Sequence, residues 1–373
     1  MRTAQNFLQE KEQYNNLDFD EFFAAVTDDA VSSVLVKDNL NRWDFLTLLS
    51  PGAQKYLEQM AQRARRETIR NFGYVMQLFT PMYIADYCDN LCVYCGFNHA
   101  NDIKRRQLSM DEIRTEAAAI AKTGLKNILI LTGESQKYSS VDYILEAVHT
   151  LQEYFSSVSM EVYAFSQADY IRAAEAGVDG MTMFQECYAK DVYKTLHLAG
   201  PKADYEYRLD APERACRAGL RNVNIGALLG LNEWRQEAFF TGVHADYLQH
   251  KYKDVEIAIS TPRMRPCSAG FAPRSIVNDT DLVQYITALR IFMPRAGLTL
   301  STRETETMRD NLIKIGITKI SGGVTVAVGG HTKGEDEGQF VISDSRSLEQ
   351  MAKMLYSKGY QPVYKDWQTL AVK

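Results

Sequence analysis

Eight apolar runs of strand length recur along this chain, and segments of helix length with mixed polar and apolar character separate them. That alternation restricts the fold more than any other feature. The runs occupy 74–87 (YVMQLFTPMYIADY), 127–133, 159–165, 180–186, 222–230, 255–260, 297–301 and 317–321. Helical patterns fill 109–123, 141–155, 167–176, 203–218, 235–251, 280–293 and 305–315, the first opening on the capping box Ser109-x-x-Glu112. Near-continuous apolar strands that alternate with helices indicate a parallel sheet covered by helices. Eight such units predict an α/β protein whose sheet closes into a (β/α)8, TIM-type barrel.

Three regions follow from the same pattern. Residues 1–73 read as an N-terminal helical segment: "DFDEFFAAVTDDAV" has helical spacing, and a last helix opens with Ser50 as N-cap and Pro51 behind it, closing at Gly73. Residues 74–330 hold the barrel. Residues 331–373 form a C-terminal extension packing on the barrel, with a helix capped by Ser347-x-x-Gln350 and then a short strand-like end. A net charge of −5 argues against a general nucleic-acid binder. The N-terminus has no apolar core of a secretory signal, and no run reaches the ~18 apolar residues of a membrane span. A cytoplasmic, reducing location is the default, where clustered cysteines serve metals more readily than disulfides.

The C-terminal ends of barrel strands build the active site. Here they carry glycines, carboxylates and guanidiniums, among them Gly133-Glu134, Glu186, Arg303 and Ser321. The loop after the first strand carries Cys88-x3-Cys92-x2-Cys95. A closed zinc site takes four ligands, and His99 would make a Cys3His set. The other reading is a [4Fe–4S] cluster on three cysteines. Such clusters usually take four, so one iron would stay open to a ligand. An open position serves catalysis, whereas a structural staple has no use for one.

The cysteine spacing, Tyr94 and the following Gly96-Phe97 match the signature of the radical S-adenosylmethionine superfamily. With "CVYCGF", "RRQLSMDEI", "LTGES", "FQECY", "HLAGPKADYEYRL", "NIGALLGL" and "LSTRE…SGG" in this order, the chain resembles the 2-iminoacetate synthases, tyrosine lyases of thiazole biosynthesis, from about Tyr74 to His331. The resemblance implies a radical S-adenosylmethionine barrel. It implies a [4Fe–4S] cluster on Cys88, Cys92 and Cys95, whose fourth iron is completed by S-adenosylmethionine. It also implies scission of the Cα–Cβ bond of L-tyrosine to 2-iminoacetate and 4-methylphenol. The tyrosine lyases of hydrogenase maturation carry further cluster-binding cysteines at their C-terminus, and here the last cysteine is Cys267. The tryptophan lyases share fold and cluster and stay open as an alternative. A zinc-stabilised binding or scaffold barrel is the alternative of another class.

Residue roles follow the same resemblance. Gly133 and Glu134 receive the amino group of S-adenosylmethionine, with Thr132 standing where the superfamily has a further glycine. Glu186 contacts its amino-acid or ribose part and Arg208 its carboxylate, which a planar guanidinium binds through both oxygens. Arg303 takes the tyrosine carboxylate, with Ser301 and Ser321 as weaker companions. The bland alternatives are a plain turn at Gly133, surface ion pairs for Glu186 and Arg208, and a pair between Arg303 and Glu304. Tyr94 could face adenine, face the substrate amine, or pack on the cysteine loop. His197 reads as a hydrogen-bonded support rather than a ligand, and Cys187, Cys216 and Cys267 as small partly buried residues. Thiazole synthase and a flavodoxin- or ferredoxin-type reductant are the partners the family implies.

Overall fold

The computed structural model describes residues 5–265, 270–333, 339–365 and 368. Its strands are β1 (Val75–Phe79), β2 (Pro81–Ala85), β3 (Asn127–Thr132), β4 (Ser157–Glu161), β5 (Gly180–Glu186), β6 (Asn222–Ala227), β7 (Glu256–Ser260), β8 (Gly297–Leu300), β9 (Lys319–Ser321) and β10 (Gln361–Val363). All pair in parallel in one sheet of order β10-β1-β9-β8-β7-β6-β5-β4-β3-β2. The α/β, TIM-type expectation holds, with two differences in the strands.

The first long run is two strands. Pro81 has no amide hydrogen, so the ladder cannot continue unchanged through it. Before the joint, β1 pairs with β9 (Gln77 opposite Lys319); after it, β2 pairs with β3 (Met82 opposite Ile130). The last strand of the sheet is thus the direct continuation of β1, and the sheet curls round on itself. The second difference is that the expected strand-like end of the tail, β10, joins this sheet by pairing with β1. The Asn127 side-chain amide donates to the carbonyls of Leu78 (3.2 Å) and Tyr364 (3.0 Å), tying β3 to both.

The outer helices start where capping residues stand. Ser109, Ser140, Ser166, Asn278 and Thr305 each accept a hydrogen bond from a first-turn amide. The segment expected as one helix over 203–218 is two, Tyr205–Leu209 and Ala211–Arg217, parted at Asp210. Pro212 belongs in a first turn, where its missing N–H costs nothing. The N-terminal region divides likewise into Phe19–Ala25 and Asp28–Val36, with Thr27 capping the second. Ser50 caps as expected, but Pro51–Tyr56 is a 3-10 turn that leads into the helix Leu57–Phe72.

The N-terminal helices pack on the outer layer. The Phe45 ring stacks on Phe292 at 4.6 Å, and Phe7 stacks on His244 at 3.8 Å. The tail is locked to the barrel by fully buried Arg309, which pairs with Asp344. Arg346 adds bonds to Asp344 (2.6 Å) and Asp310 (2.9 Å). Among the described residues no helix is long and apolar enough to cross a membrane.

Candidate active site

TIM-type barrels usually fill their interior with layers of branched side chains. This one is hollow. A cavity of about 360 Å³ runs from the strand C-terminal ends, at Tyr94, Cys95, Glu186 and Arg303, to the N-terminal ends at Asn222, Glu256 and Lys319. Small polar residues hold it open. The Asn224 amide donates to Ser260 (2.9 Å) and Thr182 (3.2 Å), so polar groups face the void without leaving that amide hydrogen bare.

The cysteine loop lies across the mouth and is held from several sides. Backbone amides of Leu91, Val93 and Leu198 bond to Ala199, Leu196 and Leu91 respectively, clamping the loop to segment 196–199. Arg105 donates to the carbonyls of Asp86 (2.7 Å), Phe97 (3.0 Å) and Asn98 (2.7 Å). His99, the fourth ligand of the zinc alternative, instead bonds through Nδ1 to the Cys88 carbonyl at 3.0 Å. Among the described residues no three His, Cys, Asp or Glu side chains converge on one ion. Three thiols on one clamped loop offer three ligands to a multi-iron cluster. Burial pushes the thiols of Cys88 and Cys92 up, and that of Cys95 up to about 11. Ligation by a metal would deprotonate such thiols outright.

The Tyr94 hydroxyl is 2.8 Å from His197 Nε2, and His197 Nδ1 is 2.9 Å from the Tyr193 carbonyl. Only a protonated Nδ1 can meet a carbonyl, so Nε2 accepts and Tyr94 donates. His197 therefore supports the loop, and the Tyr94 ring lines the cavity.

Beside the loop lies a buried charge network that joins Glu134 and Glu186 to two cations. Arg208 is 2.9 Å from Glu134 and 3.7 Å from Glu186; Lys202 is 2.8 Å from Glu186 and 3.7 Å from Glu134. Asn90, inside the cysteine loop, donates to Glu134 at 3.1 Å and accepts from the Lys202 amide at 2.8 Å. Burial alone would raise the Glu134 carboxyl, but Arg208 and Lys202 outweigh it and hold it below the usual range. Glu186 has φ +68, the one described non-glycine residue with positive φ, at a register shift in β5. Such strain persists where the surroundings over-determine it, often at functional sites. At Gly133 a Cβ would lie 2.3 Å from the Tyr87 carbonyl oxygen, so β3 ends against the backbone that enters the cysteine loop.

Arg303 lies across the barrel from β4, on the loop after β8. It does not pair with Glu304. Buried Glu304 is held by Arg263 and by Arg265 (2.8 Å). The Arg303 guanidinium stacks on Phe340 at 3.7 Å and meets no carboxylate within ion-pair distance among the described residues. Ser301 accepts from the Arg303 amide at 3.4 Å, and among the described residues the buried Ser321 hydroxyl has no partner. Cys187 is buried against Glu237 at 3.4 Å and Cys216 is buried on a helix; Cys267 lies outside the described residues.

Sequence reasoning missed Asn90, Lys202, Phe340 and Glu161. Lys202 stood inside the quoted "GPK", where Gly200 was the available signal: its φ is +92 and a Cβ would meet Asn90 Oδ1 at 2.4 Å. Glu161 closes β4 with its side chain into the cavity.

Residues 82–241 match the family model described as Radical SAM superfamily, and 260–361 match the Biotin and Thiamin Synthesis associated domain. The chain is 38% identical over 361 residues to the 2-iminoacetate synthase of Escherichia coli (strain K12), covering 95% of this chain and 96% of that one. It is 39% identical over 339 residues to the 2-iminoacetate synthase of Salmonella typhimurium, with 90% of each covered. Among solved structures it is similar to HydG, a maturase of the [FeFe]-hydrogenase, with TM-score 0.85 and 30% identity over 96% of this chain and 79% of that one. Methylornithine synthase PylB shares the fold, with TM-score 0.71 and 20% identity over 90% of this chain and 97% of that one.

Proposed function

This chain belongs to the 2-iminoacetate synthases, and on that footing we propose that it cleaves the Cα–Cβ bond of L-tyrosine to 2-iminoacetate and 4-methylphenol, feeding thiazole synthesis for thiamine. One observation carries the assignment of the substrate end. Arg303 is a guanidinium inside the same cavity as Cys95, without a carboxylate partner among the described residues. A charge out of bulk water needs a counter-charge, and the α-carboxylate of an amino acid supplies it.

Cys88, Cys92 and Cys95 would hold a [4Fe–4S] cluster, which with S-adenosylmethionine would supply radical chemistry at the substrate. The chain's own residues do the rest. Glu134, beside Gly133, takes the amino group of S-adenosylmethionine; Arg208 takes its carboxylate; Glu186 takes its amino-acid or ribose part. Lys202 bridges the two glutamates, 2.8 Å from Glu186 and 3.7 Å from Glu134, and so holds them side by side. Arg303, with Ser301 and Ser321 beside it, fixes the substrate carboxylate, and the amine on the same carbon then turns toward the cluster side. The clamped loop and the enclosed barrel keep water from the amine and from the breaking bond. Positional precision matters here, since ~1 Å of misplacement costs on the order of 100-fold in rate. Thiazole synthase is the consumer of the unstable imine, and a flavodoxin- or ferredoxin-type protein the electron source.

Anaerobic incubation of the reconstituted, reduced protein with S-adenosylmethionine and tyrosine or tryptophan tests the reading. Tyrosine-dependent 5′-deoxyadenosine with 4-methylphenol and glyoxylate supports it. Deoxyadenosine formed with tryptophan alone moves the substrate. None with either, from a fully loaded protein, sinks the substrate assignment and the Arg303 role.

A further inference from the structure

The cavity holds a second charged side chain that the reaction as described leaves unused. Glu161 is the last residue of β4 and opposes Leu131 of β3 in the ladder. Its exposed surface lines the cavity. Among the described residues its carboxylate makes no hydrogen bond and no ion pair, while Glu134, Glu186, Glu213 and Glu304 all do. An unsatisfied carboxylate away from bulk water is expensive unless a ligand brings a donor.

Position says which donor. The order of the sheet sets β4 and β8 four strands apart, on opposite walls. Arg303 follows β8. An amino acid whose carboxylate sits on Arg303 keeps its ammonium on that side too, because both groups share one carbon. What reaches the β4 wall is the far end of the side chain. Leu131, Phe184 and Phe340 line the space between, an apolar bed for a ring. We propose that Glu161 accepts a hydrogen bond from the phenol hydroxyl of the substrate, and thereby selects tyrosine over amino acids that lack it. This assignment rests on the tyrosine-lyase reading.

The surrounding charges fit an acceptor tuned near neutrality. Glu186 of β5 pushes in the same direction as burial, while Arg303, Lys202 and Arg208 pull the other way; Tyr83 of β2 feels the field of Glu161. Burial wins, and the Glu161 carboxyl is pushed up to about 7. Above that pH it is an anionic acceptor, and below it the anion is lost.

The test is equilibrium binding of L-tyrosine and L-phenylalanine to the anaerobic, cluster-loaded protein with S-adenosylmethionine bound. Wild type should hold tyrosine roughly 10- to 100-fold tighter, the range for a hydroxyl on a charged partner. Glu161→Leu should bring that ratio near unity and Glu161→Gln should lower it partway, with S-adenosylmethionine affinity unchanged in both. The wild-type ratio should also fall as pH drops through 7, which needs no variant. A ratio unmoved by either variant overturns the proposal. So does equal weakening of both amino acids with binding of 3-(4-hydroxyphenyl)propionate untouched, since Glu161 would then hold the ammonium. If wild type makes no deoxyadenosine with tyrosine, the substrate reading fails and takes this assignment with it. Tyrosine cleavage with unaltered selectivity in the variants removes this assignment alone.

Discussion

Gly133→Ala adds one methyl group at the point where β3 meets the entrance to the cysteine loop. The new Cβ would stand 2.3 Å from the carbonyl oxygen of Tyr87, 2.8 Å from its carbonyl carbon and 2.9 Å from that of Asp86. All three are backbone atoms, so no rotamer change relieves the contact. The Gly133 amide also donates to the Ala85 carbonyl at 2.8 Å, which pins the two segments together. Either that bond breaks or residues 86–87 move, and Cys88 moves with them. Overpacking of this kind costs ~1–3 kcal/mol, and the rigid surroundings place this case at the upper end. Denaturant titration of the apoprotein measures the stability, and iron content after anaerobic reconstitution measures the loop. The expected result is a loss of stability together with substoichiometric iron. Gly219→Ala is the control. Gly219 has φ +85 with open space around its Cβ position, so it should cost about 1 kcal/mol of left-handed strain and leave iron loading intact. Wild-type stability and full iron loading in Gly133→Ala would refute the argument that backbone contact at this glycine positions the cysteines.

Arg303→Lys keeps the charge but loses the planar fork, so kcat/KM for tyrosine should fall at least ~10-fold, with S-adenosylmethionine affinity unchanged; equal kinetics would show that Arg303 does not grip a carboxylate. Lys202→Met leaves Glu134 and Glu186 to share Arg208, and removing one member of a buried charge group costs about 3–5 kcal/mol. Chemical denaturation should register that loss and equilibrium dialysis a weaker hold on S-adenosylmethionine; an unchanged denaturation midpoint would mean that water already screens the pair. Burial pushes His244 down to about 3. The unfolded chain therefore binds a proton the folded one refuses, and stability should fall as pH drops below ~6.5, by up to about 1.4 kcal/mol per pH unit from this residue. His244→Phe should flatten that part of the stability–pH curve, and a curve of unchanged slope would assign the effect elsewhere.

Local rules were enough for much of this molecule. The recurring apolar runs marked the strands to within a few residues, because the face that each strand turns to the covering helices must be apolar. Capping residues marked the helix starts, because first-turn amides need acceptors whatever the tertiary fold. Spacing brought Cys88, Cys92 and Cys95 onto one loop, since residues that close in sequence have nowhere else to be. The helix break at Asp210 was also legible in principle, with Pro212 as its signal.

What the sequence by itself determined, then, is the alternation, the class of fold and the ligand loop. Tertiary structure decided which charges meet. Glu304 adjoins Arg303 in the chain yet pairs with Arg263 and Arg265, which the loop after β7 brings beside it. Lys202 and Asn90 reach Glu134 from 68 and 44 positions away only because the barrel brings successive strand ends to one rim. In the sequence Glu161 is one polar residue inside the apolar run 159–165. Its meaning depends on the opposite wall, and distance across a barrel is a property of closure that no local pattern encodes.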